Sequence, residues 1–241
     1  MKKNTLHFGE FRQYDKIFIT SENGVDAENV TSVAFDGETL YITQPDGLIE
    51  YADGKAKKLA VKASKLFSRN GKLYAAIGNS LAEIKKSKAK KIAEFDAPVK
   101  DISVALDGSV WLITETALYL EENGEYNHII SLPEETVCLA ARDNKSRYGE
   151  TVYIGSSVEG LMSMKGKRRH WAELIPDTTG VLSQKINCIA LDGLGQLWVG
   201  SDDGLNIYDG RSYWFNGNDF YSVPDGSFND MFFAADGKKY F

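Results

Sequence analysis

The chain of 241 residues has little cysteine and proline, and it contains no long apolar run. The two cysteines, Cys138 and Cys188, are too few for a disulfide framework and lie in apolar, strand-like segments, so we expect buried, reduced thiols. No segment approaches the roughly 18 apolar residues of a membrane-spanning helix. No apolar stretch follows the N-terminal lysines as it would in an export signal. We expect no membrane contact, and a cytoplasmic location by default, or an extracytoplasmic one if the chain is a mature fragment.

The common catalytic and cofactor motifs are also missing. The chain has no G-x-S-x-G, H-E-x-x-H, C-x-x-C, P-loop or G-x-G-x-x-G element. Its three histidines, His7, His128 and His170, stand in different parts of the chain, whereas a zinc site needs several ligands at one point. We expect no cofactor and no metal. The net charge of −6 argues against nucleic acid as a partner, because affinity for phosphate rests on clustered Lys and Arg.

Aromatic residues and glycine are abundant, with 12 Tyr, 12 Phe, 4 Trp and 22 Gly, which favours β-structure with many turns. One short pattern recurs along the chain: an aromatic residue inside an apolar run, a short polar loop and then a leucine. The offsets between aromatic and leucine are 7, 7, 7, 8 and 7 residues for the pairs Tyr41 and Leu48, Tyr74 and Leu81, Trp111 and Leu118, Tyr153 and Leu161, and Trp198 and Leu205. Five repeats in nearly constant register indicate one structural unit used five times.

Each unit has a further apolar strand before the aromatic, which ends in a turn containing glycine, and two more short strands after the leucine. Four short strands recurring at about 40 residues, without helical periodicity, are typical of a β-propeller blade. We therefore predict a single all-β domain. Its blades lie at about residues 30–60, 61–96, 97–133, 134–175 and 182–217.

The two ends of the chain resemble two halves of one more unit. Residues 228–241 copy the first strand and turn of the fifth unit and stop just after Tyr240, while residues 5–20 look like the missing second half. Counted across the two ends, Tyr240 reaches Leu6 with the same offset of 7. We predict a six-bladed β-propeller of four-stranded antiparallel blades, the last closed by N-terminal and C-terminal strands together. A fragment of a larger propeller is the alternative.

Residues 182–205, LSQKINCIALDGLGQLWVGSDDGL, resemble the two-component regulator propeller repeat. That repeat runs V-x-x-I, an acidic turn with glycine, L-W-I-G-T and G-L. The fifth unit matches it nearly throughout, the first and third match in part, and the second and fourth are degenerate. Such repeats occur in bacterial sensor ectodomains that recognise extracellular ligands, often glycans, and in other propellers with unrelated functions. The resemblance therefore implies the architecture more strongly than the function.

Polar residues stand at equivalent places at the start of the innermost strands, where we predict a ligand site at the mouth of the central channel. Asp101 and Asp230 occupy matching positions three blades apart and suit paired carboxylates or cation ligands. The alternative is that these groups only hold water in the channel. The predicted channel-mouth residues are Lys65, Lys100, Asp101, Asn187, Asn229 and Asp230.

A second predicted site lies on the face that carries the three longest loops, residues 19–29, 175–185 and 216–227. Aromatic and amide side chains there suit stacking on a sugar ring or gripping a peptide, although some of the aromatics would serve equally well as packing between blades. The predicted residues are Trp214, Asn216, Asp219, Phe220 and Tyr221. The acidic loop Asp202-Asp203-Gly204 we interpret mainly as a turn.

Lysine-rich turns at residues 55–58, 85–91 and 165–170 are predicted on the opposite face. They suit either an anionic partner or solvated edges that discourage strand pairing between molecules. Two functions remain open. The first, which we prefer, is a monomeric, non-catalytic recognition or scaffold propeller that binds a glycan, peptide or protein on the long-loop face. The second is a propeller enzyme, a lyase, lactonase or hydrolase, with a carboxylate or metal site at the channel mouth.

Overall fold

A computed structural model describes residues 19–142, 151–165, 170–173, 184–208, 212–215, 227–233 and 239–240. These residues form antiparallel β-strands and two short 3₁₀ helices, Ser21–Asn23 and Ala27–Asn29. Neither helix has the length or apolar content to cross a bilayer, and no other helix occurs in the described ranges. The predicted all-β architecture is confirmed.

Twenty of the strands form five sheets of four, each a blade whose strands are adjacent in sequence order. The first two blades contain β1 (Ser32–Phe35), β2 (Leu40–Gln44), β3 (Gly47–Ala52) and β4 (Lys55–Leu59), then β5 (Lys65–Arg69), β6 (Lys72–Ile77), β7 (Ser80–Lys85) and β8 (Lys88–Glu94). The third contains β9 (Val99–Val104), β10 (Val110–Thr114), β11 (Ala117–Glu122) and β12 (Glu125–Ser131). The last two contain β13 (Thr136–Arg142), β14 (Thr151–Ser156), β15 (Gly160–Lys165) and β16 (Ala172–Glu173), then β17 (Ile186–Leu191), β18 (Leu197–Ser201), β19 (Gly204–Tyr208) and β20 (Ser212–Phe215).

The predicted count of six four-stranded blades is wrong for the described chain, which has five. After the fifth blade the described residues contain only β21 (Phe232–Phe233) and β22 (Lys239–Tyr240), a separate two-stranded sheet. The N-terminal strands predicted to complete a sixth blade fall on residues 5–18, outside the described residues. Sequence periodicity marks where the aromatic residues lie along their strands, but it does not determine which distant segments pair.

Residues 227–233 nevertheless link the fifth blade to the first. The backbone N–H of Phe228 donates to the carbonyl of Ser201 at 3.2 Å. The Asp230 carboxylate accepts the backbone N–H of Val33 in β1 at 2.9 Å. The ring of Phe232 packs edge-on against Phe67 of the second blade, with centroids 6.5 Å apart. This C-terminal segment, residues 227–233, therefore contacts the blades on either side of it.

The core lies between neighbouring blades, where apolar side chains from adjacent sheets form separate clusters. The repeat leucines are at the centre of this packing, since none is more than 2% exposed: Leu48, Leu81, Leu118, Leu161 and Leu205. The aromatic residue of the repeat is also buried in four units, at Tyr74, Trp111, Tyr153 and Trp198. The regular offset in the sequence thus corresponds to two buried positions at the interfaces between blades.

The acidic turn of the repeat anchors the aromatic residue that follows it. Asp192 accepts the Trp198 indole N–H at 3.0 Å and the backbone N–H groups of Leu194 and Gln196 at 2.9 Å each. Asp36 accepts the Tyr41 hydroxyl at 3.1 Å in the same way. Burial and the Asp36 charge raise the pKa of Tyr41 to about 12. These aspartates therefore stabilise the turn and the aromatic together.

Candidate functional site

One equivalent position on each innermost strand forms what we call the central ring. In the five blades this residue pairs with the residue two places after the repeat aromatic, as Asp101 does with Ile113 and Cys188 with Gly200. Asp230 stands two residues before Phe232, which pairs with Tyr240, and so takes the same position in the C-terminal segment. The central ring consists of Ser32, Lys65, Asp101, Cys138, Cys188 and Asp230.

Three residues of the central ring form a buried ion cluster. The Lys65 Nζ lies 2.6 Å from an Asp230 carboxylate oxygen and 3.6 Å from an Asp101 oxygen. The side chains of Lys65, Asp230 and Asp101 are only 18%, 10% and 3% exposed. Burial lowers the pKa of Lys65, but the charges of Asp101 and Asp230 outweigh it and leave that pKa above its usual value. Lys65 is therefore an ammonium held between two carboxylates.

Burial raises the pKa of Asp101 to about 6, although the Lys65 charge and backbone hydrogen bonds work in the other direction. Its two oxygens accept the backbone N–H groups of Ile102 at 2.8 Å and Leu139 at 2.7 Å. Each of these hydrogen bonds favours the ionised form of Asp101, because a carboxylate accepts hydrogen bonds better than a protonated carboxyl group does. The effect of burial on the pKa of Asp101 therefore outweighs the opposing effects of the Lys65 ammonium and the two backbone donors.

The ring side chains also connect successive blades through backbone hydrogen bonds. Ser32 accepts the N–H of Leu66 at 3.0 Å, Asp101 that of Leu139 and Asp230 that of Val33. In each case the donor is the residue directly after the ring residue of the next blade in the sequence. Lys65 has no acceptor to offer, and the corresponding N–H, that of Ile102, bonds to the neighbouring Asp101 instead. The ring is therefore a structural element as well as a polar cluster.

The two cysteines occupy the remaining ring positions as free thiols, and both are buried as predicted. Cys188 donates to the carbonyl of Phe228 at 3.3 Å, and Cys138 to that of Gly155 at 3.8 Å. Burial raises the pKa of both thiols, and the next largest cause is the charge of Asp101 for Cys138 and that of Asp230 for Cys188. Protonated thiols are poor nucleophiles, so the central ring contains no activated cysteine.

A cavity of about 680 Å³ lies on the propeller axis above the ion cluster. It extends from the turns between the first and second strands of the blades, including Asn70 and Gly193, to Lys65, Asp101 and Asp230. Its walls are largely apolar, formed by Val33, Phe35, Phe67, Ile102, Val104, Leu139, Ile189, Leu191, Phe232 and Phe233. Leu106 lines the cavity from a turn at the rim and is 67% exposed. A cavity of this size, with an apolar wall and a few polar groups, has the character of a ligand site.

The structure brings together three of the six predicted channel-mouth residues, Lys65, Asp101 and Asp230. They lie at the inner end of the cavity, which extends to the turns between the first and second strands of the blades. The other three, Lys100, Asn187 and Asn229, do not line it. Each of these precedes a ring residue, and neighbouring side chains on an extended backbone point in opposite directions. Three of the six predicted residues therefore lie together at the cavity, and the ligand site itself stays a prediction.

The excluded residues form separate contacts. Lys100 is 3.9 Å from a carboxylate oxygen of Glu115. Asp202 accepts from Lys185 at 2.5 Å, Asn187 at 2.7 Å and Ser227 at 2.9 Å, while Ser227 also contacts Asn229. These hydrogen bonds lower the pKa of Asp202 to about 2. Asp202 thus ties its turn to the C-terminal segment.

The long-loop prediction is largely outside the described residues. Trp214 lies in β20, but its side chain is not described, and Asn216, Asp219, Phe220 and Tyr221 fall in residues 216–226. This predicted site stays a prediction.

The basic residues of the first two blades lie largely on the outer strands β4 and β8, rather than only in turns as predicted. Lys57 bonds to Glu50 at 2.9 Å and to Ser87 of the next blade at 3.0 Å, so the two edges are continuous. Within the described residues, five exposed lysines of this edge have no ion pair: Lys55, Lys85, Lys86, Lys88 and Lys90. Of the third basic run, residues 166–169 fall outside the described part of the chain.

The donor set at the ion cluster does not favour a resident metal. No group of three His, Cys, Asp or Glu residues suitable for a metal ion occurs in the described parts of the chain. The space between Asp101 and Asp230 contains the Lys65 ammonium, which neutralises one of their charges. The predicted carboxylate pair is thus a lysine-bridged pair.

Some cavity residues were missed by sequence reasoning, notably Arg69, Leu106 and Phe233. Leu106 carried a usable signal, because Phe35 and Leu191 also stand directly before an Asp-Gly turn and also line the cavity. Phe233 and Arg69 gave none, since an aromatic or a basic residue near a strand end is common in every unit.

The comparisons with known proteins agree with this architecture. Residues 180–203 match the model of the two component regulator propeller family. The chain carries a repeat of that family. The resemblance stated from the sequence is therefore confirmed. A search of curated proteins found no sequence match.

Many solved structures are similar to the chain, and three of them illustrate the range. A Bacteroides thetaiotaomicron protein of unknown function has a TM-score of 0.65 at 12% identity over 84% of this chain and 64% of its own. The extracellular domain of a putative one component system from B. thetaiotaomicron has a TM-score of 0.61 at 16% identity over 87% of this chain. This chain spans only 31% of that domain. A gluconolactonase of Xanthomonas campestris has a TM-score of 0.62 at 15% identity over 83% of this chain and 76% of its own. At these identities the similarity shows the propeller fold alone.

Proposed function

We propose that the chain is a non-catalytic recognition propeller that binds its ligand in the central cavity. The observation that carries this proposal is the commitment of the ionisable groups at the inner end of the cavity. Asp101 and Asp230 share Lys65 and also accept backbone N–H groups of adjacent blades. Both oxygens of each carboxylate already accept an ammonium or a backbone N–H, so moving either carboxylate towards a substrate would break contacts that hold the fold together. The open apolar volume above them serves binding.

The cavity favours a ligand with an apolar body. The rings of Phe35, Phe67 and Phe233 line it, and Leu106 stands exposed at its rim. Among the glycan, peptide and protein ligands expected for such a propeller, these walls favour a peptide, or a protein segment presenting an apolar side chain, over a fully hydroxylated sugar. The similarity to the extracellular domain of a putative one component system is in keeping with ligand recognition.

Two further surfaces extend the proposal to larger partners. The long-loop face, with Trp214, Asn216, Asp219, Phe220 and Tyr221, is proposed as an additional contact for a glycan, peptide or protein. The lysine edge of β4 and β8 is proposed as the contact for an anionic partner, because its unpaired ammonium groups lie side by side on two blades.

The alternative of a propeller enzyme receives support from the similarity to a gluconolactonase, although only at the level of the fold. In such an enzyme Asp101 or Asp230 would have to leave Lys65 to act as a base. The two functions predict different responses to the same change. Asp230→Asn keeps an acceptor for the Val33 N–H but removes a carboxylate. If the chain is an enzyme, this change should abolish hydrolysis. If it is a recognition propeller, binding of a neutral apolar ligand should stay intact.

The test combines a thermal-shift titration with indole and 2-phenylethanol and a pH-stat assay with glucono-δ-lactone. We expect both neutral probes to raise the Tm by preferential binding to the folded chain. We expect Leu106→Lys at the cavity rim to weaken the binding of both probes. Val158→Lys, at an exposed apolar position between β14 and β15, should leave their binding unchanged. Lactone turnover that Asp230→Asn abolishes would overturn the proposal, as would the failure of both probes to bind.

A further inference from the structure

We propose that the central cavity selects an organic cation: a ligand whose apolar body fills the cavity and whose protonated amine docks against the carboxylates of Asp101 and Asp230. This inference rests on the proposed function, because it assigns a ligand class to the same cavity. Three features of the cavity support it: the negative charge of its lining, the presence of one ammonium for two carboxylates at its inner end, and its aromatic walls.

The charged side chains that line the cavity are predominantly acidic. Four are carboxylates, against the two basic residues Lys65 and Arg69, so the lining has a formal charge of −2. The four carboxylates are Asp36, Asp101, Asp192 and Asp230. Asp36 and Asp192 are fixed in their turns by hydrogen bonds from backbone N–H groups and from Tyr41 and Trp198, so they remain at the cavity entrance. An apolar, partly enclosed cavity lined with one sign of charge concentrates ligands of the opposite sign.

The inner end has one ammonium group for two carboxylates. Lys65 donates a hydrogen bond to Asp230 at 2.6 Å but lies 3.6 Å from Asp101, so Asp101 has only a longer ion contact with it. Burial raises the pKa of Asp101 to about 6, which is the response expected of a carboxylate whose negative charge is incompletely compensated. A second ammonium supplied by a ligand would remove that deficit. A carboxylate oxygen can accept more than one hydrogen bond, so the existing backbone bonds do not block this contact.

The walls of the cavity favour an organic cation over a small inorganic one. Phe35, Phe67 and Phe233 contribute aromatic surface between the rim and the ion cluster, and they offer no oxygen ligand. A metal ion prefers several oxygen ligands, which the described residues do not group in threes. An amine on an aliphatic or aromatic body suits both the carboxylates at the inner end and the apolar walls of the cavity. Aromatic rings attract its cationic group, and its body displaces water from the apolar surface.

The experiment compares three probes of similar shape by isothermal titration calorimetry: phenethylamine, 2-phenylethanol and 3-phenylpropionate, which are cationic, neutral and anionic near neutral pH. We expect phenethylamine to bind about tenfold or more tightly than 2-phenylethanol, because its hydrogen bond to a carboxylate is charge-assisted. We expect 3-phenylpropionate to bind most weakly. Added salt is expected to weaken the binding of phenethylamine far less than it would weaken an exposed ion pair, because the contact with the carboxylates is buried.

Two substitutions locate the effect. Asp230→Asn removes one charge and retains a side-chain acceptor, and we expect it to cut the preference for the amine over the alcohol about tenfold. Leu106→Lys places a positive charge at an exposed rim position, so it tests the same idea without touching the buried cluster. It should weaken phenethylamine more than 2-phenylethanol. The matched control Val158→Lys, at a 55% exposed position between β14 and β15, should change neither.

The outcomes separate this inference from the proposed function. If 2-phenylethanol or 3-phenylpropionate binds as tightly as phenethylamine, cation selection is overturned while binding in the cavity stands. If Leu106→Lys and Val158→Lys affect phenethylamine equally, the amine does not bind in this cavity and the inference also fails. Lactone turnover that depends on Asp230 would overturn the proposed function itself.

Discussion

The carboxylate of Asp230 accepts the backbone N–H of Val33 at 2.9 Å while its other oxygen accepts Lys65 at 2.6 Å. Asp230 stands in the C-terminal segment, Val33 in the first blade and Lys65 in the second. One side chain therefore connects the far end of the described chain to two early blades. The same carboxylate thus compensates the charge of the buried Lys65 and joins segments that are distant in sequence.

Asp230→Ala is expected to reduce the free energy of unfolding by about 3–5 kcal/mol, because it leaves the buried Lys65 with only the more distant Asp101. Asp230→Asn should cost less, since its amide oxygen can still accept the Val33 N–H. Urea unfolding followed by tryptophan fluorescence measures both. Asn229→Ala, at the exposed neighbouring position, is the matched control and should lie near the unchanged protein. Equal costs for all three would contradict the role of the ion cluster.

Gly200 is required by the close approach of the fifth blade to the C-terminal segment. A Cβ at this position would lie 2.6 Å from Cys188 Sγ and 2.7 Å from Phe228 Cβ. Gly200→Ala is therefore expected to reduce the free energy of unfolding by about 1–3 kcal/mol through overpacking. Gly193→Ala is the control, because nothing lies within 4 Å of its Cβ. Differential scanning calorimetry should show a lower Tm for the first variant alone, and the reverse order would refute the packing argument.

The repeat positions were predictable because they follow one local rule. The buried leucines, the buried aromatics and the Asp-Gly turns recur at fixed spacing, and Asp192 bonded to Trp198 explains why turn and aromatic occur together. The matching positions of Asp101 and Asp230 were predictable from the same register. The number of four-stranded blades was not, because it depends on pairing between distant segments. The partnership of Lys65 with both carboxylates was not either, since it depends on side-chain direction across the axis.

The cavity illustrates the same limit. Lys65, Lys100 and Asn187 look equally polar and equally placed in the sequence, but only Lys65 lines the cavity. The direction of a side chain depends on strand alternation and on a single position in the register, and an error of one residue reverses it. Apolar wall residues such as Phe233 belong to the same pattern as ordinary core residues, so no local feature marks them as cavity-lining.

Asp202→Asn is expected to loosen the C-terminal segment, because Asp202 accepts hydrogen bonds from Lys185, Asn187 and Ser227. The measurement is amide hydrogen exchange of Phe228, whose N–H bonds to the Ser201 carbonyl at 3.2 Å. Asp203→Asn changes the adjacent residue, whose side chain makes no hydrogen bond within the described residues, and should leave that exchange unchanged. Faster exchange in both variants, or in neither, would count against the tie between the turn and this segment.

The lysine edge of β4 and β8 predicts retention on a polyanion. Lys88→Glu together with Lys90→Glu should shorten retention on a heparin column, whereas Lys72→Glu in β6, an exposed lysine of the same blade away from its outer strand, should change it much less. Both variants should elute earlier as salt is raised, in keeping with screening of exposed charges. Identical retention of the edge variant and the unchanged protein would mean that these lysines only solvate the edge.

The pH dependence of stability tests the electrostatics of Asp101. Its pKa is about 6 in the folded chain against an ordinary value of 3.8, so the folded state holds this proton more tightly than the unfolded state. The stabilising effect of that proton is complete below about pH 4 and is lost as the pH rises to about 6. Asp101→Asn abolishes this titration, and it is also destabilising because its NH2 group would replace the oxygen that faces either the Ile102 or the Leu139 N–H.

The advantage of the unchanged protein over Asp101→Asn should therefore shrink with rising pH, by up to about 3 kcal/mol between about pH 4 and pH 7. Urea unfolding of both proteins at each pH measures this gap, and Asp203→Asn corrects for the loss of one carboxylate from the net charge. A gap that widened with pH would mean that Lys65 and the backbone donors outweigh burial and lower the pKa of Asp101. In that case the inner end of the cavity would have no deficit of positive charge, and the preference for an amine would lose its electrostatic basis.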